Sequence, residues 1–348
     1  MRLHRFRRLL RLARAARTVQ QSDNPFRHLE LCTILENTDP GLPSDAFRRL
    51  GALAPIAHCC VRQRLVETAT YPYLLPQLIS AVADPHAPVA VTAPGAWREA
   101  LKSRGVRVTS VSTLRWWFLV GMFYAQGLRT AALRVLEIFR ARMPRAPADE
   151  YAVLMHLPWN TTPQGEPPGF DFVSWYRQSV ARDPRIRQIW AHVPGGSARN
   201  LAIPSVTITP HYLPHLDGFR RKVRFLSDLI GLVATSTVRG LAGQWWEIVL
   251  LEQLVDLAYT GELSARQFAR AYVFHSGRWI VRPLWTYVAE EAGATIDLVF
   301  YGANIQTFGV SRTQPRPIWP GYTGMTWQRY IVWDEFQAEF LRDLGLTG

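Results

Sequence analysis

The chain has almost no lysine and very little cysteine. Lys102 and Lys222 are its only lysines, and Cys32, Cys59 and Cys60 its only thiols. The one close pair is adjacent, which neither closes a disulfide loop nor matches a zinc-ligand spacing. No structural metal is expected, and a reducing cytoplasm fits best. Long apolar runs are missing too. The longest, around Leu114 to Ala125 and Leu229 to Val238, are bounded or interrupted by Arg115, Gln126, Asp228 and Arg239. They fall short of the roughly 20 apolar residues that a membrane span needs, so no transmembrane helix is expected. There is also no Walker loop, no G-x-G-x-x-G after a strand, no G-x-S-x-G elbow and no Cys/His cluster. Without these the familiar phosphate, dinucleotide and hydrolase sites have no sequence basis, and no bound cofactor is expected.

What is present is arginine, at a density that fits a GC-rich bacterial genome. The formal net charge over 348 residues is +13, and residues 1–17 hold seven arginines and no acid. From Pro283 onward the sign reverses, with four arginines against seven carboxylates. Leu3, Phe6, Leu9, Leu10, Ala13 and Ala16 recur at helical spacing among those first arginines, which predicts a basic amphipathic helix over 1–20. Such a helix either packs one face on its own domain or lies peripherally on the anionic inner membrane surface. Nucleic acid is not an expected partner, because the charge is concentrated in one terminal helix without interleaved aromatics.

Residues 21–85 read as a helical preface of short helices joined by Pro- and Gly-containing loops. From 86 to 345 strand and helix patterns alternate, which predicts an α/β fold with a Rossmann-like, mostly parallel sheet. Val89–Thr92, a helix over Trp97–Arg104 and Val106–Val111 read as a compact βαβ unit. A long helix or helix pair over Leu114–Arg142 follows, then strands at Tyr151–Met155, Ile186–Ala191 and Val206–Thr209. A helical insert is expected at about 216–274, and two further strands near the end.

In an open parallel sheet ligands bind beyond the carboxyl ends of the strands. The residues there are His156, Trp159 and Asn160, then His192 with Gly195 and Gly196, then Tyr301 and Asn304, then Trp333, Asp334 and Glu335. His156, His192 and Glu335 are the candidate acid–base groups, because proton transfer needs a group that titrates near neutrality or a carboxylate. Arg282, Trp285, Tyr301, Asn304, Trp333 and Asp334 are the candidate binding groups. Structural alternatives stand beside them: Asp334 suits a helix N-cap, and Arg282 suits an ion pair with Glu290 or Glu291.

The residues Phe274-His275-Ser276, Arg282-Pro283-Leu284-Trp285-Thr286-Tyr287 with Glu290, Phe300-Tyr301 with Asn304, and Met325-x-Trp327-x-Arg329-Tyr330-x-Val332-Trp333-Asp334-Glu335-x-Gln337 resemble the PFTS-motif proteins of bacterial surface polysaccharide biosynthesis. That resemblance implies a glycosyltransferase-like protein of GT-B type with two Rossmann-type domains, a nucleotide-sugar donor and a glycan or lipid-linked acceptor. The tetrapeptide Pro-Phe-Thr-Ser itself occurs nowhere in the chain. The expectation is therefore the acceptor-side half of a truncated or split enzyme, with a second-domain protein as partner. The alternative is a non-catalytic binding or scaffold module at the inner membrane surface.

Overall fold

The computed structural model describes residues 27–140, 145–147, 150–157, 172–179, 181–194, 199–200, 205–275, 281–300 and 325–346. The predicted amino-terminal helix, and Trp159, Asn160, Gly195, Gly196, Tyr301 and Asn304, lie outside the described residues. The chain divides into two compact units, the first comprising Met1–Gln126, Thr237–Leu250 and Ile305–Met325, the second Gly127–Ser236, Leu251–Asn304 and Thr326–Gly348.

The first unit opens with helices α1 (Arg27–Asn37), α2 (Ala54–Leu65) and α3 (Leu75–Ala83), with a short 3-10 stretch at Arg48–Leu53. Between α2 and α3 the chain widens into a π-helix, Val66–Leu74. Pro72 and Pro76 each lack a backbone N–H, and a local change of helical pitch accommodates such gaps in the ladder. Helix α4 (Gly95–Ser103) follows, with Trp97 fully buried and its indole N–H donating to the Thr38 carbonyl at 3.0 Å. The βαβ unit expected on either side of α4 reduces to one parallel bridge, Val89 to Val108. The reason is where the backbone donors go. The Val91 N–H donates to Ser112 Oγ at 3.0 Å and the Thr92 N–H to Gln77 Oε1 at 2.8 Å, so side chains occupy positions that a neighbouring strand would fill.

The long helices are α5 (Val111–Arg140), α7 (Phe219–Leu241) and α8 (Trp245–Gly261). Of Leu114–Arg142, read as a helix or a helix pair, the described part Leu114–Arg140 belongs to one helix. In the second unit α5 meets α8 at Gly127, where an added Cβ would come within 2.6 Å of the Leu251 side chain.

The second unit is built on a sheet. Its strands are β1 (Tyr151–Leu154), β2 (Gln188–His192), β3 (Arg199–Asn200), β4 (Val206–Thr209), β5 (Ala271–His275), β6 (Thr295–Val299) and β7 (Arg329–Ile331). They lie in the order β3-β4-β2-β1-β5-β6-β7, and only the two-residue β3 is antiparallel to its neighbour. Counted along the chain, the six parallel strands have the order 3-2-1-4-5-6, the Rossmann pattern. The shorter helices are α6 (Phe172–Gln178), α9 (Trp285–Glu291) and α10 (Glu335–Asp343).

Strand β5 falls inside the stretch read as a helical insert. Ala-Tyr-Val-Phe-His is a short apolar run, and such a run carries no periodicity to separate a buried helix turn from a buried strand. All five of its residues are buried, as are all four of β1, as a doubly covered parallel sheet requires. A carboxyl group also lies in the sheet itself. Asp297 on β6 is fully buried, and Arg329 on β7 holds both its oxygens at 2.7 and 2.8 Å.

Candidate functional site

The strand order reverses between β1 and β5, which is where an open parallel sheet leaves a crevice beyond its carboxyl ends. The residue that leaves β1 toward this crevice is His156. Its backbone has φ 52°, the left-handed region. Histidine tolerates that region better than most side chains, but a neighbouring structure must still hold it there.

Two other histidines do so. The His156 N–H donates to Nδ1 of His192, the last residue of β2, at 3.1 Å. The His156 carbonyl lies 3.2 Å from Nε2 of His275, the last residue of β5. Because a carbonyl only accepts, His275 carries its proton on Nε2 in this contact. His192 must be the opposite at Nδ1, which accepts, and its remaining ring N–H reaches the Pro210 carbonyl. Burial, together with the neighbouring His156 and Arg134 charges, keeps the His192 pKa well below its ordinary value. With both nitrogens engaged, His192 is a positioning residue. The general-base role read from its place at a strand end is withdrawn.

The strand-end group that sequence reading missed follows β4. The His211 N–H donates to Thr209 Oγ1 at 3.0 Å, fixing the turn that leaves the strand. Nδ1 of His211 lies 3.1 Å from Glu137 Oε1 on α5. Glu137 is held from its other side by Arg134, whose Nη1 donates to Oε2 at 2.9 Å. Burial opposes ionisation of Glu137. The hydrogen bond from His211 and the charge of Arg134 outweigh it, and the pKa ends below the ordinary carboxylate range. An ionised Glu137 fixes the proton of His211 on Nδ1 and so leaves the lone pair on Nε2. Nε2 has no partner among the described residues.

Arg134 continues the network inward. It donates from Nε to Asp256 Oδ1 on α8 at 2.9 Å, and Tyr212 Oη donates to the other oxygen of Asp256. The Arg134 guanidinium also lies over the rings of Tyr212 and Tyr259, at 4.8 and 5.3 Å. Tyr212 stacks on buried Trp285 with centroids 5.6 Å apart, and sits 5.1 Å from the ring of His192 and 6.0 Å from that of His156. The site is therefore a floor of Tyr212 and Trp285, with the partly exposed His156 and His211 above a buried Arg134–Asp256 pair. The signal for His211 was available, since Pro210-His211-Tyr212 follows the correctly placed strand Val206–Thr209. The signal for Glu137 was not, since 74 residues separate the two partners.

The remaining candidates fall elsewhere. Trp285 is in the floor, buried among Tyr212, Tyr272 and Phe274. Arg282 is buried and turned inward, bonding Thr286 Oγ1, the Thr326 carbonyl and Glu290, with its guanidinium 3.8 Å from the Tyr287 ring centre. It is a structural cation, and its role as a ligand contact is withdrawn. Asp334 caps α10, accepting from the Gln337 N–H at 2.9 Å, while Gln337 Oε1 accepts from the Trp333 N–H at 3.0 Å. Glu335 is exposed and pairs with Arg342 one helical stretch further on. These residues follow β7, three strands from β1 and five from β4, or about 14 and 24 Å at ordinary strand spacing. Glu335 therefore does not share a site with His156 or His211. Trp333 remains half exposed beside Trp175, with ring centres 5.9 Å apart.

A cavity of about 390 Å³ occurs in the first unit, lined by Arg48, Arg49, Arg239, Gln244, Trp246 and Glu247 among others. Glu247 is fully buried there between Arg49 and Arg239. None of the strand-end histidines lines it, and strand topology is the better guide to a site in this fold. Among the described residues no three His, Cys, Asp or Glu side chains converge as metal ligands would.

No curated protein and no solved structure matches the chain. One family model does, over the stretch that contains most of α7, then α8, β5, β6, β7 and α10. Residues 229–347, about the last third of the chain, match the family model of polysaccharide biosynthesis PFTS motif proteins.

Proposed function

We propose that this chain is the acceptor-side part of a glycosyltransferase-like activity in the assembly of a bacterial surface polysaccharide, with His211 as its general base. In the reaction an acceptor hydroxyl attacks the anomeric carbon of a nucleotide sugar. The new C–O bond forms as the bond to the nucleoside diphosphate breaks, and the hydroxyl proton passes to Nε2 of His211. The observation that carries this reading is the Glu137–His211 pair at the carboxyl edge of a Rossmann-type sheet, 3.1 Å apart. A carboxylate on Nδ1 makes imidazole a better base at Nε2 and stabilises the imidazolium that forms. Tyr212, backed by buried Trp285, supports the two histidines from beneath, and the family match supports a role in polysaccharide biosynthesis. A nucleotide-sugar donor, a glycan or lipid-linked acceptor and a separate donor-side partner complete the proposal.

The test is transfer from a panel of radiolabelled nucleotide sugars to membrane extracts, with the purified chain alone and with a candidate donor-side protein. His211→Ala is expected to lower the rate about 10²-fold or more without changing the melting temperature. Transfer that is indifferent to His211 would remove the base from the proposal. Complete inactivity of the wild-type chain in every combination would favour a non-catalytic binding module.

A further inference from the structure

Fifteen large apolar side chains are exposed among the described residues, and all but Trp333 and Phe336 lie on two helices, α5 and α7. On α5 they include Leu114, Phe118, Leu128, Leu136 and Phe139, with Phe118 71% exposed. These fall on one side of a helix about 45 Å long at 1.5 Å per residue, while Trp116, Phe123, Ala131 and Ile138 are buried on the other. A helix apolar on both sides belongs in an interior or against a second apolar phase. On α7 the exposed set is Phe219, Val223, Ile230, Val238 and Leu241, spaced by three, four, seven or eight residues, with Leu241 86% exposed. That spacing is a narrow stripe along the helix.

The charges beside these stripes identify what covers them. Helix α7 carries Arg220, Arg221, Lys222, Arg224 and Arg239 against the single acid Asp228. On α5 Arg115 and Arg129 are exposed, whereas Arg134 is buried against Asp256 and Glu137. A second copy docked on α7 in parallel would set Arg220, Lys222 and Arg224 against themselves across an apolar seam. Lipid phosphates oppose none of them. No helix among the described residues is long and apolar enough to cross a membrane, so the geometry is that of a helix lying along a surface, its apolar stripe in the interface and its cations at the headgroups.

We infer that the apolar stripe of α7 around Phe219, Val223 and Ile230, with the flanking Arg220, Lys222 and Arg224, docks the chain on an anionic lipid surface. The inference rests on α7 and does not depend on the proposed chemistry. The experiment is co-sedimentation of the full chain with vesicles of phosphatidylcholine alone and with phosphatidylglycerol added. Binding to the anionic vesicles is expected, falling with added salt, and absent or much weaker on neutral ones. Phe219→Ser combined with Ile230→Ser should lower it at least about tenfold, and Arg220→Gln combined with Arg224→Gln should lower it severalfold. Both pairs are exposed, so the melting temperature should hold, and the charge pair keeps the test decisive if the apolar pair disturbs folding. Binding left unchanged by both pairs, as segment 1–17 alone would give, overturns the inference. So does sedimentation velocity that shows a dimer abolished by the same substitutions in a chain without affinity for vesicles.

Discussion

Glu137 Oε1 on α5 lies 3.1 Å from Nδ1 of His211, a residue 74 positions later at the exit of β4. Neither residue defines the site alone. The carboxylate fixes which nitrogen of the imidazole carries the proton, and the strand exit fixes where the other nitrogen faces.

Replacing Glu137 by Gln keeps the shape and removes the charge. Transfer should fall by about tenfold or more, mainly in kcat, because the imidazolium loses its counter-ion in the transition state. A stability signature should accompany it. The folded-state pKa of Glu137 is depressed, so its contribution is present above the ordinary carboxylate value, about 4.3. It is lost as pH falls through the lower folded value. Urea unfolding at pH 6, 4 and 3 should show a smaller acid loss in Glu137→Gln than in the parent. Equal slopes would mean that the carboxylate is not engaged.

His192 should produce a step at higher pH. Its folded-state pKa is depressed by burial and by the nearby His156 and Arg134 charges. The neutral form is therefore the one that the fold selects. Stability is complete above the ordinary histidine value, about 6.5, and declines as pH falls below it. His192→Gln retains an acceptor and a donor but cannot titrate. The variant should lose about 1–2 kcal/mol at pH 8 and show a weaker decline between pH 7 and 5. Chemical denaturation across that window reads both effects.

Arg134 is the counter-ion of a carboxyl whose ionisation burial opposes. Asp256 is buried and its pKa is raised, with desolvation outweighing the guanidinium and Tyr212 contacts. Arg134→Met should destabilise by about 3–5 kcal/mol, since it strands the buried Asp256 and also leaves Glu137 with one partner. Adding Asp256→Leu should recover part of that loss. A double-mutant cycle in urea gives the coupling directly, and additive losses would show that the two side chains act independently.

The sheet was legible where its strands are apolar runs bounded by turns. Val206–Thr209 and Tyr151–Leu154 stand out for that reason, and a buried parallel strand has little other pattern to offer. Strand β5 was read as helix, because Ala271–His275 has the same composition and follows two long helices without a clear break. Val89–Thr92 was read as a strand on composition, yet Ser112 and Gln77 take its backbone donors. Local chemistry was legible to the residue at Asp334, since a cap and its helix are adjacent in sequence. The His156, His192 and His275 clamp joins three strands through contacts 36 and 119 residues apart. No local pattern encodes it, although the strand ends themselves could be read.

Asp334 and Glu335 separate the structural from the chemical meaning of the terminal segment. Asp334 accepts from Gln337 at the start of α10, and Glu335 pairs with Arg342 on the exposed side of the same helix. Asp334→Ala removes a satisfied cap and should cost about 0.5–2 kcal/mol. Glu335→Gln breaks an exposed pair and should change stability by less than about 1 kcal/mol. Neither side chain shares the β1–β4 region with His211, so transfer by both variants should stay within about twofold of the parent at a temperature where each is folded. A loss of kcat in Glu335→Gln comparable with that of His211→Ala, at unchanged melting temperature, would move the base to the other end of the sheet and dissolve the role assigned to Glu137.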